Sequence, residues 1–340
     1  MNKTIINRAK NYRILAMQFY ENGDAEKALD LLKKSLDMNQ NDEIAFFLLG
    51  NIFEDLLRQN EALAAYKKAL EVNPALAEAY YNIAIIYDKL DETENAVDYY
   101  KKAIEINPCL SGAYYGIAII LDDKGNKKEA LEYYLKTVQN DPMYDRAYFY
   151  IANIYDELGE KETALEYYKK TVEVAEDDYI AYNNMGSILE EIGEYEESLE
   201  AIQASIDINA EYFKSHFNKG VVLAYLGKKR EAVKAYDKAL EINPGYIDIY
   251  NNKGVLLLEL AELDEAIIAF SKAIELDSDH EASYYNRACC YALKGDSNNA
   301  VKDLEYSIHL NPRNIAFAKK CSDFDLIRKS SNFRRIIKEG

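Results

Sequence analysis

The chain has 340 residues, 49% of them hydrophobic, and 59 acidic against 41 basic side chains give a formal charge of −18. So acidic a surface repels a nucleic-acid backbone and an anionic membrane, and neither is expected as the main partner. No apolar run reaches the ~20 residues of a membrane helix, MNKTIINRAK lacks the apolar stretch of a secretory signal, and four cysteines make no disulfide framework, so a cytoplasmic protein is expected.

Residues 1–8 are polar apart from Ile5 and Ile6 and read as a lead-in or an extension of the first helix. From Ala9 a pattern of 34 residues recurs without insertion or deletion, giving the units 9–42, 43–76, 77–110, 111–144, 145–178, 179–212, 213–246, 247–280 and 281–314. In each, helix A is expected over roughly positions 1–14 and helix B over roughly 17–30. Glycines such as Gly125, Gly159 and Gly193 fall at the turn between them, where a left-handed residue ends a helix. Unit one is irregular, with Leu32 at position 24 and Gln40 at position 32, as suits a terminal unit.

The positions that hold are those that pack. Position 8 is always Ala or Gly (Ala16, Gly50, Ala84 and on to Ala288), position 20 is Ala except at Ser198, and position 27 is small from Ser35 to Ser307. Positions 4 and 24 are mostly rings, such as Tyr80 and Tyr100, and position 32 holds all five prolines. Positions 4, 7, 8 and 11 share one helical stripe, and 20, 21, 24, 27 and 28 another. Small residues let two helices approach, the rings at 4 and 24 fill the space beside them, and proline punctuates the units.

These positions resemble the tetratricopeptide repeat, with Tyr where the family usually has Trp at position 4, over about nine-tenths of the chain. The resemblance implies an all-α, right-handed superhelical solenoid of nine helix pairs plus a capping C-terminal segment. It also implies a non-catalytic interaction scaffold, whose helix A positions 2, 5, 6, 9, 12 and 13 line a concave surface that takes extended or helical peptides.

On that stripe position 6 is Asn82, Asn184, Asn218, Asn252 and Asn286, and position 9 adds Asn51 and Asn153. Position 5 carries Phe47, Tyr81, Tyr115, Phe149, Phe217 and Tyr285. Positions 12 and 13 are acidic through units two to six, including Asp88, Asp122, Asp156 and Glu190, and then turn largely apolar at Ala224, Tyr225, Leu258, Ala292 and Leu293. An Asn amide pairs with a peptide's C=O and N–H whatever its sequence, and the rings would hold its side chains. Five Asn contacts at about 1 kcal/mol each give about 5 kcal/mol, against about 4–15 kcal/mol lost on association, so apolar contacts must supply most of the affinity. The expected partner is a protein segment, basic against units two to six and apolar against units seven to nine. Two alternatives stand beside it: self-association into a homo-oligomer, and recruitment of an enzyme through the convex face. The carboxylate clamp of some members of that family is not supported, since Arg13 is basic at position 5 but Met17, Leu48 and Glu78 stand where the clamp would be completed.

Position 7 is apolar in six units and basic in the last three, at Lys219, Lys253 and Arg287, which reads as long stems packing with their heads turned out. After Asn314 the pattern stops. Residues 315–340 carry seven basic and three acidic side chains, and DFDLIRKSSNFRRII looks helical, with Phe324, Ile327, Phe333, Ile336 and Ile337 as anchors of a cap. No catalytic set, cofactor motif or metal-ligand spacing is found. His216 takes a packing position, and Cys289 and Cys290, adjacent on a helix, point about 100° apart.

Overall fold

A computed structural model describes residues 3–339, so that Met1 and Asn2 of the lead-in and Gly340 of the tail lie outside the described residues. Among them there are helices and no strand. In units two to nine helix A covers positions 1–13 and helix B positions 17–30, from Glu43–Asp55 and Gln59–Val72 to Glu281–Leu293 and Ser297–Leu310. The first helix, Lys3–Glu21, starts ahead of Ala9, so the lead-in extends it.

Two local devices set this rhythm. Position 15 is left-handed in every unit: six glycines have φ between 73° and 87°, and Leu57, Asp91 and Ala261 take φ of 58–61°. There the N–H of position 16 bonds back to the carbonyl of position 11, as Asn126 does to Leu121 at 2.8 Å, which closes helix A as a Schellman turn. After helix B, where position 31 is Asn or Asp its side chain accepts from the N–H two residues on, as Asn73 does from Ala75 (3.0 Å) and Asp141 from Met143 (3.0 Å), whereas unit five has Ala175 there. This Asx-turn halts helix B in unit four and in unit six (Asn209 with Glu211, 3.1 Å), where only the former has the following proline.

Contacts divide the chain into two compact parts, Met1–Leu158 and Gly159–Gly340. In both, a small residue at position 8 admits a buried ring from position 24. A Cβ on Gly50 would stand 2.4 Å from the Tyr66 ring in the first part; in the second, one on Gly220 would stand 2.4 Å from Tyr236 and one on Gly254 2.6 Å from Phe270. The rings at 4 and 24 do not share one space, as the sequence pattern suggested. Position 24 rings pack under position 5, as Tyr100 under Tyr81 (5.8 Å), whereas position 4 rings lean on position 23, as Tyr80 on Tyr99 (6.0 Å). One residue along helix A turns the side chain by 100°, enough to send neighbours to opposite sides of helix B.

The second part ends in the tail. Phe324, Ile327, Phe333 and Ile336 are buried against Ala288, Ala292, Ala300 and Leu304 of the last pair. Each such burial contributes about 1.5–3 kcal/mol, so the segment covers an apolar face that a solenoid end would otherwise expose. It is not one helix as expected: a 3-10 turn (Ser322–Phe324) and irregular turns precede the helix Ser331–Glu339. The Arg328 guanidinium holds the irregular stretch by donating to the carbonyls of Lys319 (2.8 Å) and Cys321 (2.7 Å) and to Asp325 (2.9 Å).

Candidate functional site

All the predicted helix A side chains, Asn, ring and acid alike, are half-buried in the folded chain. The Asn residues are already at work between units. Asn82 Nδ2 donates to the hydroxyl of Tyr66 (3.1 Å) and to Asn51 Oδ1 (3.3 Å), and the Tyr66 hydroxyl itself donates to Asn51 Oδ1 (2.7 Å). Asn184 Nδ2 donates to Tyr168 (3.2 Å), and Asn252 pairs with the Tyr236 hydroxyl. In each case the partner is position 24 of the preceding unit. Where that position is Ile202 or Phe270 it offers no acceptor. Asn218 then turns to Asn183 Oδ1 (3.0 Å) and Asn286 to Asn251 Oδ1 (3.4 Å), both at position 5 of the preceding unit. The side-chain N–H groups of Asn82, Asn184, Asn218, Asn252 and Asn286 thus tie neighbouring units together. The side-chain carbonyls of Asn82, Asn218 and Asn286 accept no hydrogen bond among the described residues, which leaves an acceptor on each. Asn153 is half-buried on the helix Asp145–Glu157.

The position 5 rings are packing residues too. Phe47 lies 5.5 Å from Tyr66, Tyr115 5.8 Å from Tyr134 and 4.8 Å from Tyr144, and Phe217 6.0 Å from Tyr236; Phe149 meets Tyr150 edge-on at 5.7 Å. Burial holds the phenols of Tyr81, Tyr100 and Tyr134 above the ordinary range, so they remain protonated donors. Tyr285 lies 5.9 Å from Phe324 and is covered by the C-terminal segment.

The acid stripe is narrower than the sequence suggested. Lys89 pairs with Glu54 (2.9 Å), and Lys127 bridges Asp122 (2.8 Å) and Glu157 (3.2 Å). Asp156 is half-buried. Asp88 and Glu190 have no basic side chain within ion-pair distance among the described residues. Burial and then the neighbouring carboxylates, Asp123 and Asp91 for Asp88 and Glu191 for Glu190, push both upward from the usual carboxylate range. A cation brought to either would relieve that repulsion. The basic groups of position 7 are satisfied internally: Lys219 donates to Gln203 (2.6 Å), Lys253 pairs with Asp237, and Arg287 forks onto Asp303 (2.6 and 2.9 Å).

An open, largely apolar depression on the stripe lies in the second part. Val221, Ala224 and Tyr225 of helix Phe213–Tyr225 face Asn252, Val255, Leu256 and Glu259 of helix Ile247–Glu259, with Tyr236 as the floor, around a cavity of about 310 Å³. Tyr225, 60% exposed, forms one wall and stacks on Tyr195 (5.1 Å, 9°). Burial pushes the Tyr236 phenol up to about 12, against which the Asn252 amide acts, so the floor offers a neutral hydroxyl. One unit earlier the same positions enclose only about 10 Å³ around Ile202 and Asn218. A larger depression of about 810 Å³ lies off the stripe, lined mainly by polar and charged groups that include Asp37, Gln40, Lys68 and Glu71.

His216 is buried, with its Nε2 2.9 Å from the carbonyl of Ala210, as its packing position implied. Cys289 and Cys290 do diverge, yet no sequence spacing disclosed that Cys289 meets Cys321 and Asp323 of the tail, whose ligand atoms lie within 4.8 Å of one another. That group departs from the expectation of no metal-ligand set.

No helix among the described residues is long and apolar enough to cross a membrane. No curated protein matches the chain. Several solved structures do: YrrB, described as a TPR protein with an unusual peptide-binding site, is 27% identical over 58% of this chain and 98% of that one, with a TM-score of 0.50. PilF of Pseudomonas aeruginosa is 18% identical over 68% and 97% (TM-score 0.53), and MamA 30% over 47% and 94% (TM-score 0.44). Models of the tetratricopeptide repeat match residues 58–91, 77–108, 115–175, 151–213, 213–246, 235–268 and 281–314. The matched segments include the pairs Ala84 with Tyr100, Ala118 with Tyr134 and Gly220 with Tyr236 at positions 8 and 24, and the chain belongs to the tetratricopeptide repeat family, whose members are typically interaction scaffolds rather than catalysts.

Proposed function

We propose that this protein is a cytoplasmic scaffold that captures a segment of a partner protein on its helix A stripe. An apolar anchor of the partner enters the cavity over Tyr236 with a basic side chain against Glu190, and in the first part Asp88 by itself offers a counter-charge to a basic segment. The observation that supports this most is the cavity itself. It lies on positions 6, 9, 12 and 13, it is lined by Val221, Ala224, Val255 and Leu256, and Asn252 and Glu259 stand at its edge. Burying one aliphatic or aromatic side chain there is worth about 1.5–3 kcal/mol, more than an Asn already committed to a neighbouring unit can add. The likeness to YrrB, a protein whose description includes a peptide-binding site, supports the same reading. Charge attraction makes association weaken with salt.

Panning the full chain against a random-peptide library tests this. Selected peptides should combine an apolar anchor with Lys or Arg, and Ala224→Glu should weaken them about tenfold or more in fluorescence anisotropy, because the anchor would meet a charge. The fold accepts an acid at position 12, as Glu54, Asp88, Asp122, Asp156 and Glu190 show, so the melting temperature should hold. Unchanged affinity in Ala224→Glu would overturn the proposal.

A further inference from the structure

We propose that Cys289, Cys321 and Asp323 bind one thiophilic divalent cation of the zinc class, which fastens the C-terminal segment to the last helix pair. The two sulfurs and a carboxylate oxygen lie within 4.8 Å of one another, so that small side-chain rotations bring them to the edges of about 3.4–3.8 Å of a tetrahedron with metal–sulfur bonds of about 2.3 Å and metal–oxygen bonds of about 2.0–2.2 Å. The ligands come from two places that only folding joins. Cys289 is on helix Glu281–Leu293, and Cys321 and Asp323 sit at and within the turn Ser322–Phe324.

Three groups that carry negative charge as ligands thus converge, and Asp323 has no basic side chain within ion-pair distance among the described residues. Cys289 is only 2% exposed, in a cluster with Leu304, Phe324 and Phe333, where a thiolate is tolerated only if its charge is cancelled on the spot. A bound dication does that. Sulfur donors select zinc over magnesium or calcium, and three protein ligands leave a fourth position for water. A metal here would secure the segment that covers the end of the last pair, so its loss loosens the cap rather than the repeats.

The test uses the reduced, metal-free full chain titrated with Co2+ as a spectroscopic probe. The expected result is uptake of one cobalt per chain with a sulfur-to-cobalt charge-transfer band, displaced by Zn2+. Cys321→Ser, at a half-exposed position that the fold can spare, should abolish the band, and Asp323→Asn should weaken uptake about tenfold or more. Cys109→Ser, at an exposed cysteine, should leave it unchanged. Absence of a thiolate band, or a band that survives Cys321→Ser, overturns the proposal. So does closure of Cys289 and Cys321 to a disulfide in aerated buffer with excess Zn2+, since a metal-held pair resists oxidation.

Discussion

Units two to four, in the first part, and units seven and eight, in the second, use the same helix A positions for opposite chemistry. At positions 12 and 13 the former present Glu54, Asp88, Asp122 and Asp123, while units seven and eight present Ala224, Tyr225 and Leu258. Underneath, the architecture hardly changes: Gly50 seats Tyr66 as Gly220 seats Tyr236. The repeat therefore separates two tasks by position. Residues that face helix B keep their size because a neighbour's volume dictates it, and residues one face away vary in charge without altering the packing.

The sharpest way to break this comparison is to attack what the two regions share. Gly220→Ala and Gly50→Ala each drive a Cβ into a buried ring, and each should lower stability by about 1–3 kcal/mol in urea unfolding. A tolerated alanine at either site would mean that its ring can shift and that position 8 does not define the seat. A smaller effect is expected where the regions differ underneath the stripe. Tyr66→Phe removes the hydroxyl shared by Asn82, Asn51 and Glu54, for a loss of about 1 kcal/mol, because Phe47 at position 5 offers no acceptor and Asn82 keeps only its 3.3 Å bond to Asn51. In the second part Asn286 already lives over Phe270 by using Asn251. Equal stability of Tyr66→Phe and the parent would show that the hydroxyl network adds nothing.

The smallest effect is one of pH. Burial, Asp123 and Asp91 raise Asp88, so the folded chain holds that proton more tightly than the unfolded chain does. Its contribution to stability therefore declines as pH rises from the ordinary carboxylate range through the raised value. Asp88→Asn should melt slightly above the parent at pH 7 and together with it in acid, while binding a basic peptide more weakly. Calorimetry at both pH values with anisotropy at pH 7 checks this, and a variant that binds basic peptides as well as the parent would remove Asp88 from the recognition surface.

Much of the fold was legible because it is local and repeated. Glycine at position 15 and proline at 32 act within a few residues of themselves, and the small residues at 8, 20 and 27 act between packed helices at a spacing that repeats every 34 residues. The Asx-turn at position 31 was legible too, in Asn73, Asp141 and Asn209, but was credited to proline. The candidate site was less legible, since its residues act across units. The sequence does contain a signal for the Asn row. Where position 24 is Tyr66, Tyr168 or Tyr236 the next unit's Asn has a hydroxyl to meet, and where it is Ile202 or Phe270 an Asn stands at position 5 instead. Reading it requires knowing that positions 24 and 6 of successive units touch.

The amino-acid order by itself determined the period, the helix pairs, the turns between them and the acid-to-apolar change along helix A, because helical spacing fixes which side chains share a stripe. Tertiary structure decided which members of that stripe have partners, which space stays open over Tyr236, and that Cys289 faces Cys321 and Asp323. Those outcomes depend on distances between residues far apart in sequence, and such distances exist only once neighbouring helices have packed.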